Sequence, residues 1–159
     1  MRPRRILCIA SGGGHLEQML ACIDTLGNHR VTLALYAWPN LVDFSHPNVH
    51  HLRFVRYFAF SGLGVYLGLL VNALAWTWIV LTERPDVIVS TGAEVAIAPI
   101  VLGKIFFRRR TVFLESAARK ENASLTGRVV YPFCDAFFVQ SETLLQSYGP
   151  RARCVGSLL

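Results

Sequence analysis

The chain has 159 residues, of which 53% are apolar or aromatic and 16% are charged. This length is that of one domain, which excludes a two-domain enzyme on this chain, and the apolar content excludes a disordered segment. The formal net charge of +6 comes mostly from arginine. Because these arginines lie between apolar runs, an anionic membrane or a phosphorylated ligand fits at least as well as nucleic acid, and we expect no nucleic-acid partner.

Short apolar runs rich in β-branched residues alternate with longer helical stretches. The predicted strands cover residues 5–10, 30–37, 49–55, 86–91, 111–116, 135–140 and 152–155. The predicted helices cover residues 15–26, 63–81, 95–106, 125–133 and 142–147. This alternation predicts one α/β domain over residues 1–159, with a doubly wound, mostly parallel sheet. Ligands bind such sheets beyond the carboxyl ends of the strands, where the strand order reverses.

The sequence Ser11-Gly12-Gly13-Gly14-His15 follows the first strand directly and opens a helix. Glycines let backbone N–H groups approach a ligand, and a helix N-terminus favours negative charge. The motif fits neither nucleotide-binding fingerprint, because Glu17 stands where the dinucleotide motif needs a small residue and no P-loop lysine follows. His15 is either a capping or solvated residue or a general base, since a helix N-terminus favours the neutral imidazole.

A second turn, Ser90-Thr91-Gly92-Ala93-Glu94, ends the fourth strand and begins another helix. Alone it is an ordinary strand-to-helix turn. Together with the first glycine loop, however, it flanks the point where the strand order of a doubly wound sheet reverses. The two turns would therefore face one crevice, which raises the odds of a ligand site there.

An uncharged stretch separates Arg56 from Glu83. A helix over residues 63–81 would rise about 28 Å and barely span a bilayer. A crossing would also separate strands that we expect in one sheet. Two alternatives remain for an apolar helix at about 60–82: a core helix, or a monotopic helix in the membrane interface. In the second, Leu67, Leu70, Leu74 and Trp78 would enter the membrane, and Arg108, Arg109 and Arg110 would meet lipid phosphates unless they form a solvated turn.

Glu115 ends a strand inside the predicted crevice. It is either a second candidate for the general base or the ion-pair partner of Arg119, one helical turn further on. No spacing of His, Cys, Asp and Glu suggests a metal site, and we expect no metal and no cofactor. The four cysteines lack a C-x-x-C spacing, which is typical of reduced thiols in a cytosolic protein.

An ordered set of short motifs runs along nearly the whole chain. It comprises Ser-Gly-Gly-Gly-His at 11–15 with Glu-Gln-Met-Leu following, and the segments 84–92 with Pro99 beyond, 114–119, 125–128, 135–140 and 148–156. This set resembles the acceptor-side half of MurG-like GT-B glycosyltransferases. More closely, it is similar to the PssD subunits of exopolysaccharide synthesis and to the membrane-anchor subunit of the bipartite UDP-GlcNAc transferase of the dolichol pathway.

The resemblance implies a Rossmann-like N-terminal half of a GT-B enzyme. It further implies a split, inverting glycosyltransferase, inactive as this chain alone, that works at the cytoplasmic face of a membrane in exopolysaccharide or glycolipid synthesis. A donor-binding partner subunit would hold most of the UDP-sugar, and this chain would hold a lipid-diphosphate-linked sugar. His15 is the first candidate base and Glu115 the second. The expected substrate-binding residues are Ser11, Gly12, Gly13, Gly14, Thr91, Gly92, Glu94 and Arg119.

Two features depart from the family pattern. Ala93-Glu94 stands where MurG has an aromatic residue after its second glycine pair, and the first strand begins almost at the start of this sequence, where the eukaryotic subunit has an anchor ahead of it. We therefore expect any membrane attachment to come from elsewhere in the chain. Two other functions stay open: a noncatalytic membrane adaptor that recruits a complete glycosyltransferase, and a soluble module that binds a phosphorylated ligand.

Overall fold

The computed structural model describes residues 2–37, 44–55 and 64–157. The strands are β1 (Arg5–Ala10), β2 (Arg30–Tyr36), β3 (His51–Val55), β4 (Val87–Ser90), β5 (Arg110–Leu114), β6 (Ala136–Val139) and β7 (Ala152–Cys154). The helices are α1 (Gly14–Asp24), α2 (Gly64–Glu83), α3 (Ile97–Ile105), α4 (Leu125–Val130) and α5 (Thr143–Tyr148). Single 3₁₀ turns, Glu94–Ala96 and Tyr131–Phe133, precede α3 and follow α4. The predicted elements are confirmed within the described residues.

The strands form one parallel sheet in the order β3-β2-β1-β4-β5-β6-β7. The order reverses between β1 and β4, so the predicted doubly wound topology is confirmed. Residues 6–10 of β1 are all buried, because the central strand of a parallel sheet is covered on both faces. The carboxyl ends of β1 and β4 therefore border a crevice at the centre of the sheet.

Two hydrophobic clusters cover the two faces of the sheet. On one face, Leu16, Met19 and Ile23 of α1 pack against β1 and β2. On the other face, α2 and α3 pack together over the strands, with Trp76 of α2 and Ile100 of α3 fully buried. The core thus lies on both sides of β1, and the loops that follow the strands are left at one edge of the sheet.

Helix α2 runs antiparallel to β2 and is longer than the strand it covers. The ring of Trp76 lies 6.2 Å from that of Tyr36, the last residue of β2. Glu83, at the other end of the helix, accepts a hydrogen bond from Thr32, which is near the start of β2. The helix ends at Glu83, two residues later than predicted, and Arg84 follows it with a left-handed φ of 47°. Residues 64–75 precede Trp76 and rise about 18 Å, so the first half of α2 extends past the carboxyl end of β2.

The end of α2 is fixed by its only carboxylate. Glu83 accepts hydrogen bonds from Arg53 at 2.6 Å, from Thr32 at 3.0 Å and from His51 at 3.3 Å. Burial raises the pKa of Glu83, but these hydrogen bonds outweigh it and hold that pKa below its ordinary value. The contacts tie α2 to β2 and β3 at the amino edge of the sheet.

Among the described residues, one helical window, Tyr66–Glu83, is long and apolar enough to cross a membrane, with a mean hydropathy of 1.3, and 24% of it is buried. The strands on either side of α2 exclude a crossing. Strand β3 pairs with β2, and β4 pairs with β1, in the same sheet. A chain that crossed the bilayer between β3 and β4 would place them on opposite sides.

Candidate functional site

A cavity of about 830 Å³ opens beyond the carboxyl ends of β1, β2, β4 and β5, at the point where the strand order reverses. The residues that line it come from the end of β2, from the loops after these strands and from the starts of α1 and α4. They are Ser11, Gly12, Gly13, His15, Tyr36, Ala93, Glu94, Glu115, Ser116, Ala118, Arg119, Ser124, Leu125 and Thr126. The fold therefore brings the two glycine turns together at one edge, as their positions after two neighbouring strands require.

His15 and Thr91 bind each other across this edge. The Nδ1 atom of His15 lies 2.7 Å from the backbone oxygen of Thr91, and the Thr91 hydroxyl donates to the backbone oxygen of His15, also at 2.7 Å. Because a carbonyl oxygen can only accept, Nδ1 carries the hydrogen in this contact, so in the neutral ring the lone pair is on Nε2. The reciprocal bonds fix the ring, and Thr91 is fully buried behind it.

The imidazole packs on a glycine, and any larger residue at that position would clash with the ring. A Cβ atom at Gly92 would lie 2.8 Å from Cε1 of His15, and Gly92 has a φ of 112°. The next residue, Ala93, has φ 63° and ψ 163°, a backbone conformation that residues other than glycine rarely adopt. The second turn is therefore held in a conformation that places His15 at the cavity wall.

Two helical segments begin at the cavity. Gly13, with φ 65°, is the N-cap of α1, and Ala93 is the N-cap of the 3₁₀ turn that leads into α3. The first N–H groups of a helix lack intrahelical acceptors and carry a partial positive charge. Together with the Arg119 guanidinium in the cavity wall, these ends favour an anionic group, whereas Glu94 supplies a carboxylate at the same wall.

The Glu115 side chain is 1% exposed, although the residue borders the cavity. One carboxylate oxygen accepts from the Ser116 N–H at 3.0 Å. The other accepts from the hydroxyl and N–H of Ser124, at 2.8 and 3.3 Å, and from the Tyr148 hydroxyl. Burial and the hydrogen bond to Glu115 raise the pKa of Tyr148 above its ordinary value, so this hydroxyl stays a donor. These four donors are neutral, and among the described residues no ion pair joins Glu115 to Arg119 as the alternative interpretation expects.

A second buried side chain supports the same wall from α1. Gln18 is 3% exposed and accepts a hydrogen bond from Gln140 at 2.8 Å and from the Ala117 N–H at 3.3 Å. Gln140 also donates to the backbone oxygen of Glu115 at 2.9 Å. Because Gln18 lies 122 residues from Gln140 along the chain, no local pattern could have predicted this link.

The expected site residues occupy three kinds of position. Ser11, Gly12, Gly13, His15, Glu94, Glu115 and Arg119 line the cavity. Thr91 and Gly92 are buried behind His15, where they fix the ring and do not line the cavity. Gly14 opens α1 at an exposed position, outside the described lining.

The lining also includes four residues that were not among the expected site residues: Tyr36, Ser124, Leu125 and Thr126. Tyr36 ends β2, so the rule that sites follow strand ends could have found it. Ser124 is the N-cap of α4 and accepts from the Gly127 N–H, a capping signal whose place beside the cavity depends on the tertiary fold.

The residues expected at a membrane form two groups. Leu67, Leu70, Leu74 and Trp78 are 55%, 56%, 60% and 68% exposed along one side of α2. A core helix covered by other elements would not leave this stripe open. Gly68, between two of these leucines in the sequence, is by contrast buried.

The second group, at the other edge of the sheet, precedes or begins β5. Arg108 and Arg110 are exposed, while Arg109 is half-buried. Its charge contributes, after the hydrogen bonds and charge of Arg5, to holding the pKa of Asp86 below its ordinary value. Arg108 and Arg110 are thus better placed than Arg109 to meet an external anion. In the part of the chain that the structure describes, no three His, Cys, Asp or Glu side chains gather as metal ligands would.

Comparison with known proteins identifies the family of this chain. The family described as "Oligosaccharide biosynthesis protein Alg14 like" matches residues 6–158. A relative from Eremothecium gossypii, named UDP-N-acetylglucosamine transferase subunit ALG14, is 29% identical over 182 residues, covering 99% of this chain and 81% of the relative. MurG of Acinetobacter baumannii has a TM-score of 0.74 at 15% identity, covering 98% of this chain and 46% of MurG.

A UDP-N-acetylglucosamine 2-epimerase from Rickettsia bellii also has a TM-score of 0.74, at 13% identity, covering 99% of this chain and 46% of the epimerase. The chain therefore spans about half the length of these two solved structures. At such identities the likeness concerns the fold, and it confirms the Rossmann-like half that the sequence predicts. Because the family match extends over residues 6–158, the chain belongs to the Alg14-like family of oligosaccharide biosynthesis proteins.

Proposed function

We propose that this chain is the acceptor-binding, membrane-associating subunit of a split, inverting UDP-sugar glycosyltransferase that acts on a lipid-diphosphate-linked sugar. The family match and the name of the E. gossypii relative, a UDP-N-acetylglucosamine transferase subunit, support the reaction class and favour that donor. The word subunit in the name of that relative supports a second polypeptide, which we propose binds the donor. This chain alone would therefore not transfer sugar.

The pairing of His15 with Thr91 carries the catalytic part of the proposal. Nδ1–H donates to the Thr91 carbonyl at 2.7 Å, so Nε2 is the basic nitrogen of the ring. In the reaction Nε2 takes the proton of the acceptor hydroxyl, and the hydroxyl oxygen bonds to the anomeric carbon of the UDP-sugar. The bond from that carbon to the UDP oxygen breaks on the opposite face, and UDP leaves with its electron pair.

The charge around the cavity supports a diphosphate acceptor. Backbone N–H groups at Gly12 and Gly13 and at the start of the 3₁₀ turn that leads into α3, with the Arg119 guanidinium, can bind phosphate oxygens. Glu94 lies at the same wall and can accept hydrogen bonds from sugar hydroxyls. An acceptor with both groups matches this mixture better than a phosphate ion alone.

An incompletely covered sheet face supports the partner subunit. On the face that carries α1, Val112 of β5 and Ala136 and Phe138 of β6 are only half-buried, whereas their neighbours on the opposite face are buried. All-parallel sheets normally have both faces covered. A helix of a donor-binding subunit would complete this face beside the cavity.

The exposed stripe of α2 supports attachment to a membrane without crossing it. Its large apolar side chains can enter the membrane interface while both flanking strands stay in one sheet. We place the protein at the cytoplasmic face, in agreement with four free cysteines.

The decisive experiment measures sugar transfer by the copurified complex of this chain with its donor-binding partner. We expect no turnover by this chain alone, and a loss of about two decades or more in the complex with His15→Ala, as general-base catalysis contributes roughly that much. His29→Ala is the matched control, because His29 is half-buried like His15 but lies at the amino edge of the sheet, where its ring accepts from the Arg4 N–H at 3.3 Å. Assembly and vesicle binding of both variants are measured in parallel.

Two outcomes would reject the proposal. Transfer by the isolated chain would eliminate the split enzyme. Normal turnover by an assembled His15→Ala complex would favour the adaptor function, in which the partner is a complete enzyme.

A further inference from the structure

We propose that Glu115 is a positioning residue whose buried carboxylate closes the segment from Ser116 to Ser124 and thereby sets the shape of one cavity wall. This role differs from that of a second general base. The proposal rests on the proposed function only for its kinetic test, because the closed segment also has a readout that needs no activity.

The carboxylate joins the two ends of the segment. The Ser116 N–H donates to one oxygen at 3.0 Å, and Ser124, nine residues from Glu115 along the chain, donates to the other at 2.8 Å through its hydroxyl. Hydrogen bonds to a buried charged group are stronger than those between neutral groups, and each unpaired partner carries a desolvation cost. Opening this loop would therefore leave a carboxylate unpaired in the interior.

Tyr148 connects the closed loop to the rest of the domain. Its hydroxyl donates to the same oxygen of Glu115 from α5, 33 residues away, and the Tyr148 side chain is buried. Its ring also lies 4.5 Å from that of Phe137 in β6. The loop is thus fastened to a helix and a strand that do not belong to it.

Gly127 gives independent evidence that this packing is tight. A Cβ atom at Gly127 would lie 2.5 Å from Oε2 of Glu115 and 2.9 Å from the Ser124 hydroxyl. The Gly127 N–H donates to that hydroxyl at 2.8 Å. The first turn of α4 therefore sits directly on the carboxylate, and a larger residue at this position would displace it.

The parts of the segment that face the cavity explain why its shape matters. Arg119 lies inside the loop, and Leu125 and Thr126 follow its closing residue directly, and all three line the cavity. A carboxylate that is 1% exposed and already accepts these hydrogen bonds is poorly placed to take a proton from a substrate. It is well placed to hold Arg119 and the start of α4 at a fixed distance from His15.

The test compares Glu115→Gln and the milder Tyr148→Phe in the copurified complex. In Glu115→Gln only the amide oxygen can accept, so the amide NH₂ group must face one of the donors that the carboxylate now binds. Tyr148→Phe removes the hydroxyl donor and keeps the aromatic ring. Thr111→Val is the matched control, since Thr111 is fully buried and donates to the Phe133 carbonyl at 2.6 Å at the opposite edge of the sheet.

We expect amide hydrogen exchange over residues 116–127 to become about tenfold faster or more in both cluster variants, the size expected for losing one hydrogen bond to a charged group. Exchange in α1 should not change. The acceptor KM should rise by a similar factor, with kcat and its pH dependence close to those of the unmodified complex. Thr111→Val should lower the unfolding temperature without either effect.

Different results would overturn the proposal. A fall in kcat of two decades with Glu115→Gln but not with Tyr148→Phe, and an altered pH profile of kcat, would assign the base to Glu115. Unchanged exchange over 116–127 with a lowered unfolding temperature would make the cluster merely structural. If the complex shows no transfer at all, the proposed function fails, whereas the exchange measurement still decides whether the carboxylate closes the loop.

Discussion

Membrane binding by α2 can be tested with two side chains. Leu70 and Leu74 lie one turn apart on the exposed stripe and are 56% and 60% exposed. Fully burying a leucine is worth roughly 1.5–3 kcal/mol. With a little over half of each side chain still open, immersion would contribute about 1–2 kcal/mol per residue, so replacing both with serine removes roughly 2–4 kcal/mol. At 1.4 kcal/mol per factor of ten, the vesicle partition coefficient should fall about 30-fold or more.

The assay is cosedimentation with vesicles of phosphatidylcholine and phosphatidylserine. Val155→Ser is the control, because Val155 is 49% exposed just beyond β7 and far from α2 in the sheet order. All three positions are exposed, so the unfolding temperature should change little in either variant.

A Leu70→Ser/Leu74→Ser protein that sediments with vesicles as well as the unmodified protein would refute membrane insertion of the stripe. The same result combined with loss of the donor-binding partner would assign α2 to the subunit interface. A loss of vesicle binding by the Val155→Ser control as well would show that the assay reports general surface hydrophobicity.

Two further changes test the site and the amino edge of the sheet. Gly92→Ala should abolish transfer by the complex and lower the unfolding temperature, because its Cβ would meet the His15 ring at 2.8 Å. Gly14→Ala is the control, since a Cβ there has nothing within 4 Å, and it should leave transfer and the unfolding temperature unchanged. A fully active Gly92→Ala complex would contradict the assigned position of His15. Glu83 has a lowered pKa in the folded state, so it stabilises the fold above the pKa of an unfolded glutamate, about 4.3, and this contribution is lost as pH falls through the lowered value. Glu83→Gln should therefore lower the unfolding temperature at pH 7 and flatten its decline in acid, and equal acid sensitivity of the two proteins would count against this linkage.

Most of the fold could be predicted from local sequence. The strands are short runs of β-branched residues, and the glycine turns that follow β1 and β4 mark their ends. The boundary of α2 was harder to predict, because no charge interrupts the run before Glu83. The helix continues to that residue because β2 and β3 supply hydrogen bonds to its carboxylate, and such partners are not visible in a local window.

The candidate site also has a part that could be predicted from local sequence and a part that could not. His15 and the glycines were identifiable because a strand, a glycine turn and a helix stand next to one another in the sequence. The functions of Glu115 and Tyr148 could not be separated from sequence, since a carboxylate at a strand end has the same local pattern whether it faces a substrate or a buried hydroxyl. Only the tertiary contact between Glu115 and Tyr148, which are 33 residues apart in the chain, distinguishes these two cases.

The length of α2 links the membrane hypothesis to the cavity. The ring contact between Trp76 and Tyr36 at 6.2 Å places the middle of the helix at the carboxyl end of β2, and Tyr36 itself lines the cavity. Residues 64–75 rise about 18 Å along the helix and lie toward this edge of the sheet, and they carry the exposed Leu67, Leu70 and Leu74. If this half of the helix lies in the membrane interface, the cavity is held beside the lipid surface. A lipid-linked acceptor could then present its diphosphate and sugar to the cavity while its hydrocarbon chain stays in the bilayer.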